Sequence, residues 1–365
     1  MKNASISEVS TVQSEDYAEL ATFLASFPAE TRSKERWLGR FRIWWDINPA
    51  FAGAPSRGWI LRQQEKIVGF LGTIPMKIQL GGKETICFGG TTWRVLPDHR
   101  GMSMFLKRRQ MQDQKDHLHV TTTPRPEVAK MLELLRYQRI DRGGGTNEQS
   151  VVVLNFEKFL RMKFDGRFAG AQIAWGFALI LQCFQSLFQC FTLGKSRRAD
   201  VREISKADRA FDELWERTRS RYLNTNIRTS EMLNWYCFSA KEPAKTLLGY
   251  YEGDTLFGYM MLSSSGERAM QIMECVDLWI DPARDEVSTL RALVGKAVKY
   301  ARRNSFDRLV FPHFNGQTAA SYRKLHLLRR PAWGRREYMT GSSGFLENIT
   351  VENSYFVTAQ GDYGL

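Results

Sequence analysis

An internal repeat constrains this chain more than any other feature. Trp45, Gly69, Pro97 and Pro124 recur in the same order, at nearly constant spacing, as Trp235, Gly258, Pro282 and Pro312. A sustained offset of this kind marks a duplicated unit and has to be read before any local pattern. The chain has 365 residues, and a domain typically takes about 100–200, so two copies account for most of it. The spacing predicts an N-terminal unit over residues 1–156, a connector over 157–200 and a C-terminal unit over 201–365. Hydrophobic residues make up 43% of the chain and charged residues 25%, the balance of a globular protein with a full core.

The two copies follow one order of elements. In the first, residues 16–43 read as helical, 59–62 with 66–73 as a hairpin, 76–80 with 84–88 as a second hairpin around Gly81-Gly82, and 91–95 as a strand. Helices over 105–114 and 127–135 bracket a strand at 117–122, and 151–156 continues the same sheet. The second copy repeats this with a helix at 230–238, a hairpin of 247–251 and 256–262, and a long strand at 269–280. A helix at 287–302, a strand at 308–311 and a helix at 317–328 complete it. Hairpins followed by alternating strands and helices predict a mixed α/β fold, each unit a mixed central sheet flanked by helices.

The connector is unusual. Residues 168–194 contain no Asp, Glu, Lys or Arg. Ile173, Phe177, Ile180, Phe184 and Leu187 share one helical face, and Gln182, Gln185 and Gln189 the opposite one, so 171–193 reads as an amphipathic helix. Such a helix either bridges the two units or lies on a membrane surface, with Arg167, Lys195 and Arg197 as anchors. The glutamine stripe argues against a membrane-spanning role.

The net charge is +13 and the sequence pI about 9.6, which favours anionic partners such as polyphosphates, nucleic acid or an anionic lipid surface. Five scattered cysteines without a CxxC pair give neither a disulfide framework nor a zinc knuckle. Residues 1–15 are polar, so no signal peptide is read and a reducing, cytoplasmic setting is expected, at most peripheral to the inner membrane surface. No HxxxH, DxD or GxSxG pattern is present, so neither a metal site nor a serine nucleophile is expected.

Only the first copy keeps an anion-binding turn. A strand runs into Val95-Leu96-Pro97-Asp98-His99-Arg100-Gly101 and then a basic helix. The first N–H groups of a helix lack internal partners and carry partial positive charge, so an anion docks there. Gly101 allows close approach, Ser103 offers a hydroxyl, and Arg100, Lys107, Arg108 and Arg109 add charge. At the matching place the second copy has Asp281, Asp285 and Glu286, which repel phosphate.

The 95–101 turn, the hairpin ending Ile67-Val68-Gly69-Phe70 and the segment 128–140 resemble the GCN-five-related N-acetyltransferase (GNAT) superfamily. The resemblance covers most of the chain outside the first 15 residues, the 157–200 connector and the tail after Met339. It implies two tandem GNAT-like domains, with acetyl-coenzyme A or another acyl-coenzyme A on the first. The binding set would be Val95, Arg100, Gly101, Met102, Ser103 and Met104. Arg100 and Gly101 match the family's Arg-Gly, whereas Ser103 and Phe105 replace glycine or alanine, and Phe105 is expected to narrow the pyrophosphate seat. The thioester carbonyl would accept from the backbone N–H of Val95 or Leu96. Tyr137 stands where an acid for the leaving thiol belongs. Glu274 and Asp277, on the equivalent strand of the second copy, are candidate bases facing a shared cleft, although Asp277 equally suits a cap or an ion pair.

Trp44, Trp45, Trp235 and Tyr236 suit either core packing or sugar stacking, and His313, Asn315 and Tyr322 either a fold or an acceptor pocket. The implied reaction is N-acyl transfer from acyl-coenzyme A to a small amine, such as an amino sugar of a surface-polysaccharide pathway. The alternatives are a FemAB-like aminoacyl transferase using charged tRNA, the one case in which nucleic acid is a partner, and a non-catalytic scaffold.

Overall fold

The computed structural model describes residues 8–52, 56–122, 124, 126–140, 145–164, 200–267, 270–332, 338–340, 349–357 and 359. The expected 171–193 helix, with any membrane contact through it, lies outside these residues.

The first half contributes β1 (Glu8–Thr11), β2 (Gly58–Gln63), β3 (Lys66–Leu80), β4 (Lys83–Val95), β5 (Leu118–Thr121), β6 (Gln138–Arg139) and β7 (Glu148–Val153). The second contributes β8 (Asp200–Ile204), β9 (Asn224–Asn226), β10 (Lys245–Glu252), β11 (Thr255–Glu267), β12 (Met270–Ile280) and β13 (Arg308–Pro312). It ends with β14 (Leu328–Pro331), β15 (Tyr338–Thr340) and β16 (Ser354–Tyr355). One sheet runs β1-β2-β3-β4-β5-β15-β6, with β9 and β16 added beside β3; the other runs β8-β10-β11-β12-β13-β7-β14. The two orders are equivalent position by position. Gly69 faces Val95 in the first and Gly258 faces Ile280 in the second, so the repeated glycines occupy the same rung.

Two sequence expectations change here. The pairs of short strands expected at 66–73 and 76–80, and at 84–88 and 91–95, are single strands, β3 and β4. Pro75 sits opposite Phe88 within the ladder, and a bulge between Leu71 and Gly72 absorbs the bend. Gly81 (φ 57°) and Gly82 (φ 78°) supply the consecutive left-handed residues of a tight hairpin turn between them. The larger change concerns the strand expected to continue the first sheet. β7 pairs antiparallel with both β13 and β14 in the second sheet. β15, from the second half, takes the matching place between β5 and β6. Each half therefore completes the other's sheet.

The 16–43 stretch divides into α1 (Tyr17–Ala25) and α2 (Lys34–Phe41), which Ser33 caps through the Arg36 N–H, followed by a π-turn at Arg42–Asp46. α3 (Ser103–Asp113) and α4 (Pro126–Leu134) flank β5. One apolar cluster joins Trp37, Trp44 and Trp45 to Trp235, Met260 and Phe311, so the halves share a core. The Trp45 indole N–H donates to the Thr73 carbonyl and that of Trp235 to the Ile43 carbonyl, each at 2.8 Å. Trp44, Trp45, Trp235 and Tyr236 are all buried, which settles them as core and not as a sugar platform.

Candidate functional site

β4 and β5 run parallel but pair only at Cys87–Leu118, Phe88–His119 and Gly89–Val120. Beyond that rung β5 ends at Thr121 while β4 continues to Val95, and the strands part. Thr92 has no partner on β3 and takes φ 45°, the extra residue of a bulge at the point of parting. The gap is a cleft of ≈ 790 Å³, within the usual roughly 300–1,000 Å³ of ligand sites. Its walls are β4, the inward face of α3, α4 and the α1–α2 connection. Arg32, Arg40, Arg94, Arg100 and Lys107 line it, and no Asp or Glu is among its lining residues. Glu30, its side chain 1% exposed, holds Arg94 at 2.7 Å and Arg32 at 3.0 Å from behind. The indole N–H groups of Trp37 and Trp93, both on the cleft wall, have no partner. Free donors and unbalanced positive charge suit a polyanionic ligand.

The expected carbonyl donors separate. The Leu96 N–H donates to the Val68 carbonyl at 2.9 Å, which removes it from that role. Because antiparallel rungs alternate, the neighbouring Val95 amide points to the opposite edge of β4, into the gap. Val95 lines the cleft.

The phosphate turn forms a 3-10 segment, Pro97–Met102, that leads directly into α3, and no side chain caps that helix. Arg100 and Ser103 line the cleft; Gly101, Met102 and Met104 do not. The Ser103 N–H donates to the Arg100 carbonyl, closing the turn. A Cβ on Gly101 would meet nothing within 4 Å, so open space lies beside it. Phe105 is 52% exposed and absent from the cleft wall, so it does not narrow the seat as expected.

Behind the wall lies a polar cluster of which the sequence pointed to Lys107, as a charge beside the turn, and to Tyr137, but not to their meeting with Gln110, His119 and Gln114. Lys107 Nζ donates to Gln110 Oε1 and to the Tyr137 hydroxyl, both at 2.7 Å. His119 Nδ1 lies 3.1 Å from the same hydroxyl, and its Nε2 lies 3.2 Å from the Gln114 carbonyl. All are buried. Burial lowers Lys107 to about 7. Burial, then the Lys107 charge, lowers His119 to about 3. Burial also raises the Tyr137 phenol. Tyr137 is absent from the cleft wall, where Lys107 stands in front of it. The signal was present in sequence: Ser103, Lys107, Gln110 and Gln114 recur at helical spacing, a polar stripe on the inward face.

The second copy has the same gap. β12 and β13 pair only at Ile272–Arg308, Met273–Leu309 and Glu274–Val310. The chain's own tail fills the space beyond. Tyr355 donates its hydroxyl to the Leu278 carbonyl at 2.7 Å, and the Ala359 N–H donates to the Val276 carbonyl at 3.2 Å. Asp277, 1% exposed, accepts from Arg228 Nε at 3.2 Å and the Tyr259 hydroxyl at 2.7 Å. Both its oxygens are engaged in the core, in the ion pair that the sequence offered as the alternative to a base. The carboxylates of the turn are engaged too: Asp281 with Arg217, Asp285 as cap to Ser288, Glu286 with Arg221. His313 stacks on Tyr322 in the core and Asn315 caps a helix, so neither lines an acceptor pocket.

Glu274, 6% exposed, differs. It borders a second cavity of ≈ 1330 Å³, which shares Arg32 and Arg40 with the first cleft and is also lined by Arg36, Arg42 and Lys241 and by the carboxylates of Glu35 and Glu242. Among the described residues no cluster of three His, Cys, Asp or Glu side chains could hold a metal. None of the described helices is long and apolar enough to cross a membrane.

No protein-family model matches the chain, and no curated protein resembles it in sequence. Solved structures do resemble it in fold. N-myristoyltransferase of Saccharomyces cerevisiae, crystallised with bound myristoyl-coenzyme A, is 14% identical at a TM-score of 0.56, covering 98% of this chain and 91% of that one. GCN5-related N-acetyltransferases of Anabaena variabilis (11% identity, TM-score 0.56, 92% of this chain and 72% of that) and Kribbella flavida (12%, 0.56, 92% and 71%) align at the same TM-score over somewhat less of each chain. The chain has the fold of the GCN5-related N-acetyltransferases.

Proposed function

We propose that the protein is an N-acyltransferase that moves an acyl group from acyl-coenzyme A, held by the N-terminal unit, to a small amine. The observation that carries this reading is the gap between β4 and β5, lined by cations without a carboxylate and opening beside an uncapped helix. Arg100 and the Ser103 hydroxyl, both on the cleft wall at the turn, would take the pyrophosphate. An extended arm following β4 from Leu96 back to Gly90 covers about 20 Å at about 3.3 Å per residue. It ends at the rung where the strands part. The amides on that edge of β4, of which Val95 is the first, face the arm along its length, and those near its end would donate to the thioester carbonyl, which gains negative charge during transfer.

The acceptor would enter through the second cavity, with Glu274 as the base that removes the amine proton. The lining there mixes five cations with Glu35, Glu242 and Glu274, and Arg36 is already paired with Glu242 at 2.8 Å. The carboxylates suit the ammonium of an amine and the remaining cations a negative group elsewhere on it, which a phosphorylated amino sugar would combine. Acetyl is the simplest acyl group, and the apolar side chains of Leu71, Met131 and Leu132 on the wall allow a longer one. An acyl-coenzyme A substrate places the reaction in the cytoplasm.

The test is thiol release from acetyl-coenzyme A across a panel of amino sugars and other small amines. Glu274→Gln is expected to lower kcat by about 10²–10⁴, the usual worth of general-base catalysis, with little change in coenzyme affinity. Absence of release with every amine, for acetyl and longer acyl donors alike, sinks the reading.

A further inference from the structure

We infer that Lys107, not Tyr137, is the proton donor to the departing thiolate; the inference rests on the acyl-coenzyme A reading of the cleft. The placement comes first. Lys107 stands one helical turn beyond Ser103, about 6 Å further along the axis at 1.5 Å per residue, so it lies inward of the phosphate turn. Its neighbour His119 pairs with Phe88, one rung before β4 and β5 part. Thr121, on the same face of β5 as His119, lines the cleft. The cluster therefore sits at the apex of the gap, where an arm laid along β4 delivers its sulfur.

Access comes second. Lys107 belongs to the cleft wall and Tyr137 does not. Of the three N–H groups of the ammonium, two are directed to Gln110 and Tyr137, leaving one for a ligand. The groups facing Lys107 are Gln110 from α3, His119 from β5 and Tyr137 after α4, and Arg94 and Arg100 are the nearby cations of the wall. No carboxylate ion-pairs with Lys107 among the described residues. A thiolate is thus the missing counter-charge. Burial keeps the ammonium acidic enough to release its proton near neutrality.

The step balances. The neutral amine attacks the thioester carbon, the C–N bond forms and the C–S bond breaks, with the electron pair leaving on sulfur. Lys107 passes one proton to that sulfur and becomes the neutral amine. It is recharged by the proton that the acceptor nitrogen has lost, so the sum is amide plus thiol. Tyr137 and His119 orient Lys107, with His119 held neutral.

Coenzyme A itself tests this, because a thiol facing an ammonium ionises more readily. The probe is the ultraviolet absorbance of the thiolate, followed through a pH titration of coenzyme A free and bound to the full chain. An opposite charge in contact moves a titration by about 1–3 units. Lys107 and the thiol titrate as a pair, so the thiolate absorbance of bound coenzyme A is expected to begin to rise at least about one pH unit below that of the free one. Lys107→Met should abolish that difference while coenzyme A still binds, and Tyr137→Phe should retain it. A wild-type bound thiol that titrates at or above the free value overturns the inference, without need of a variant. So does a lowered value that survives in Lys107→Met. Failure of coenzyme A to bind at all is a separate outcome and rejects the cleft reading together with this inference.

Discussion

At the scale of single residues, two buried charges with opposite surroundings carry opposite meanings. Asp277 is matched by Arg228, whose guanidinium also lies 4.2 Å from the Trp279 ring, and the pair closes a core. Lys107 has no such match and faces a cleft. A buried charge without a counter-ion is costly to a fold, and keeping one implies a use for it. The cost has a measurable pH signature. Lys107 is lowered from 10.5 to about 7 in the folded protein. Between those values the unfolded chain holds the proton and the folded one does not, so stability rises with pH across that window. Below about 7 both states are charged, and the folded state bears the full burial cost. Lys107→Met is therefore expected to be more stable than wild type at pH 7 and below. Its advantage should shrink as pH rises toward 10. Urea midpoints over that range check this, and an advantage that grows with pH would contradict it.

At the scale of elements, the bulge in β4 and the uncapped start of α3 shape the cleft. Gly101 isolates the second of these. Its Cβ position is open and its φ is not in the left-handed region, so Gly101→Ala should change stability by less than about 0.5 kcal/mol. The same methyl stands where a pyrophosphate would approach the turn, and acetyl-coenzyme A affinity should fall about tenfold or more, measured by calorimetry beside a urea melt. Much of this level was legible in sequence. The helix expected at 230–238 is there because Thr229 caps it and its apolar face is continuous. What was not legible is which sheet receives an edge strand. β7 and β15 carry the alternation of any strand, and alternation specifies a face, not a partner. The choice between Val95 and Leu96 was hidden for a related reason. Which amide faces outward depends on the phase of the ladder, and one bulged residue reverses it. Phe105 was misjudged because spacing to a motif does not say which way a helical side chain points.

At the scale of the molecule, the two sheets of equivalent order hold one open gap and one filled gap. The first is cationic and borders a second cavity between the halves. The second is occupied by residues 354–357 and Ala359 and sealed by Tyr355, which is 3% exposed and stacks on Tyr222 with ring centroids 5.2 Å apart. Exchange of β7 and β15 fastens the halves together, so the filled copy holds the open one and supplies Glu274 toward the shared space. The repeat was visible from four spaced residues; the division of labour was visible only in part, from the carboxylates of the second turn. The tail that fills the second gap has no counterpart in the repeat and gave no signal.

The measurement that meets the central claim most directly is calorimetric titration of the protein with acetyl-coenzyme A, with Arg100→Glu paired with a variant at the matching turn of the second half, Arg284→Glu, where Arg284 lies 3.1 Å from Glu252. The account predicts one coenzyme bound per chain, lost in Arg100→Glu and unchanged in Arg284→Glu. Binding that survives Arg100→Glu, or that is lost in Arg284→Glu alone, would contradict it.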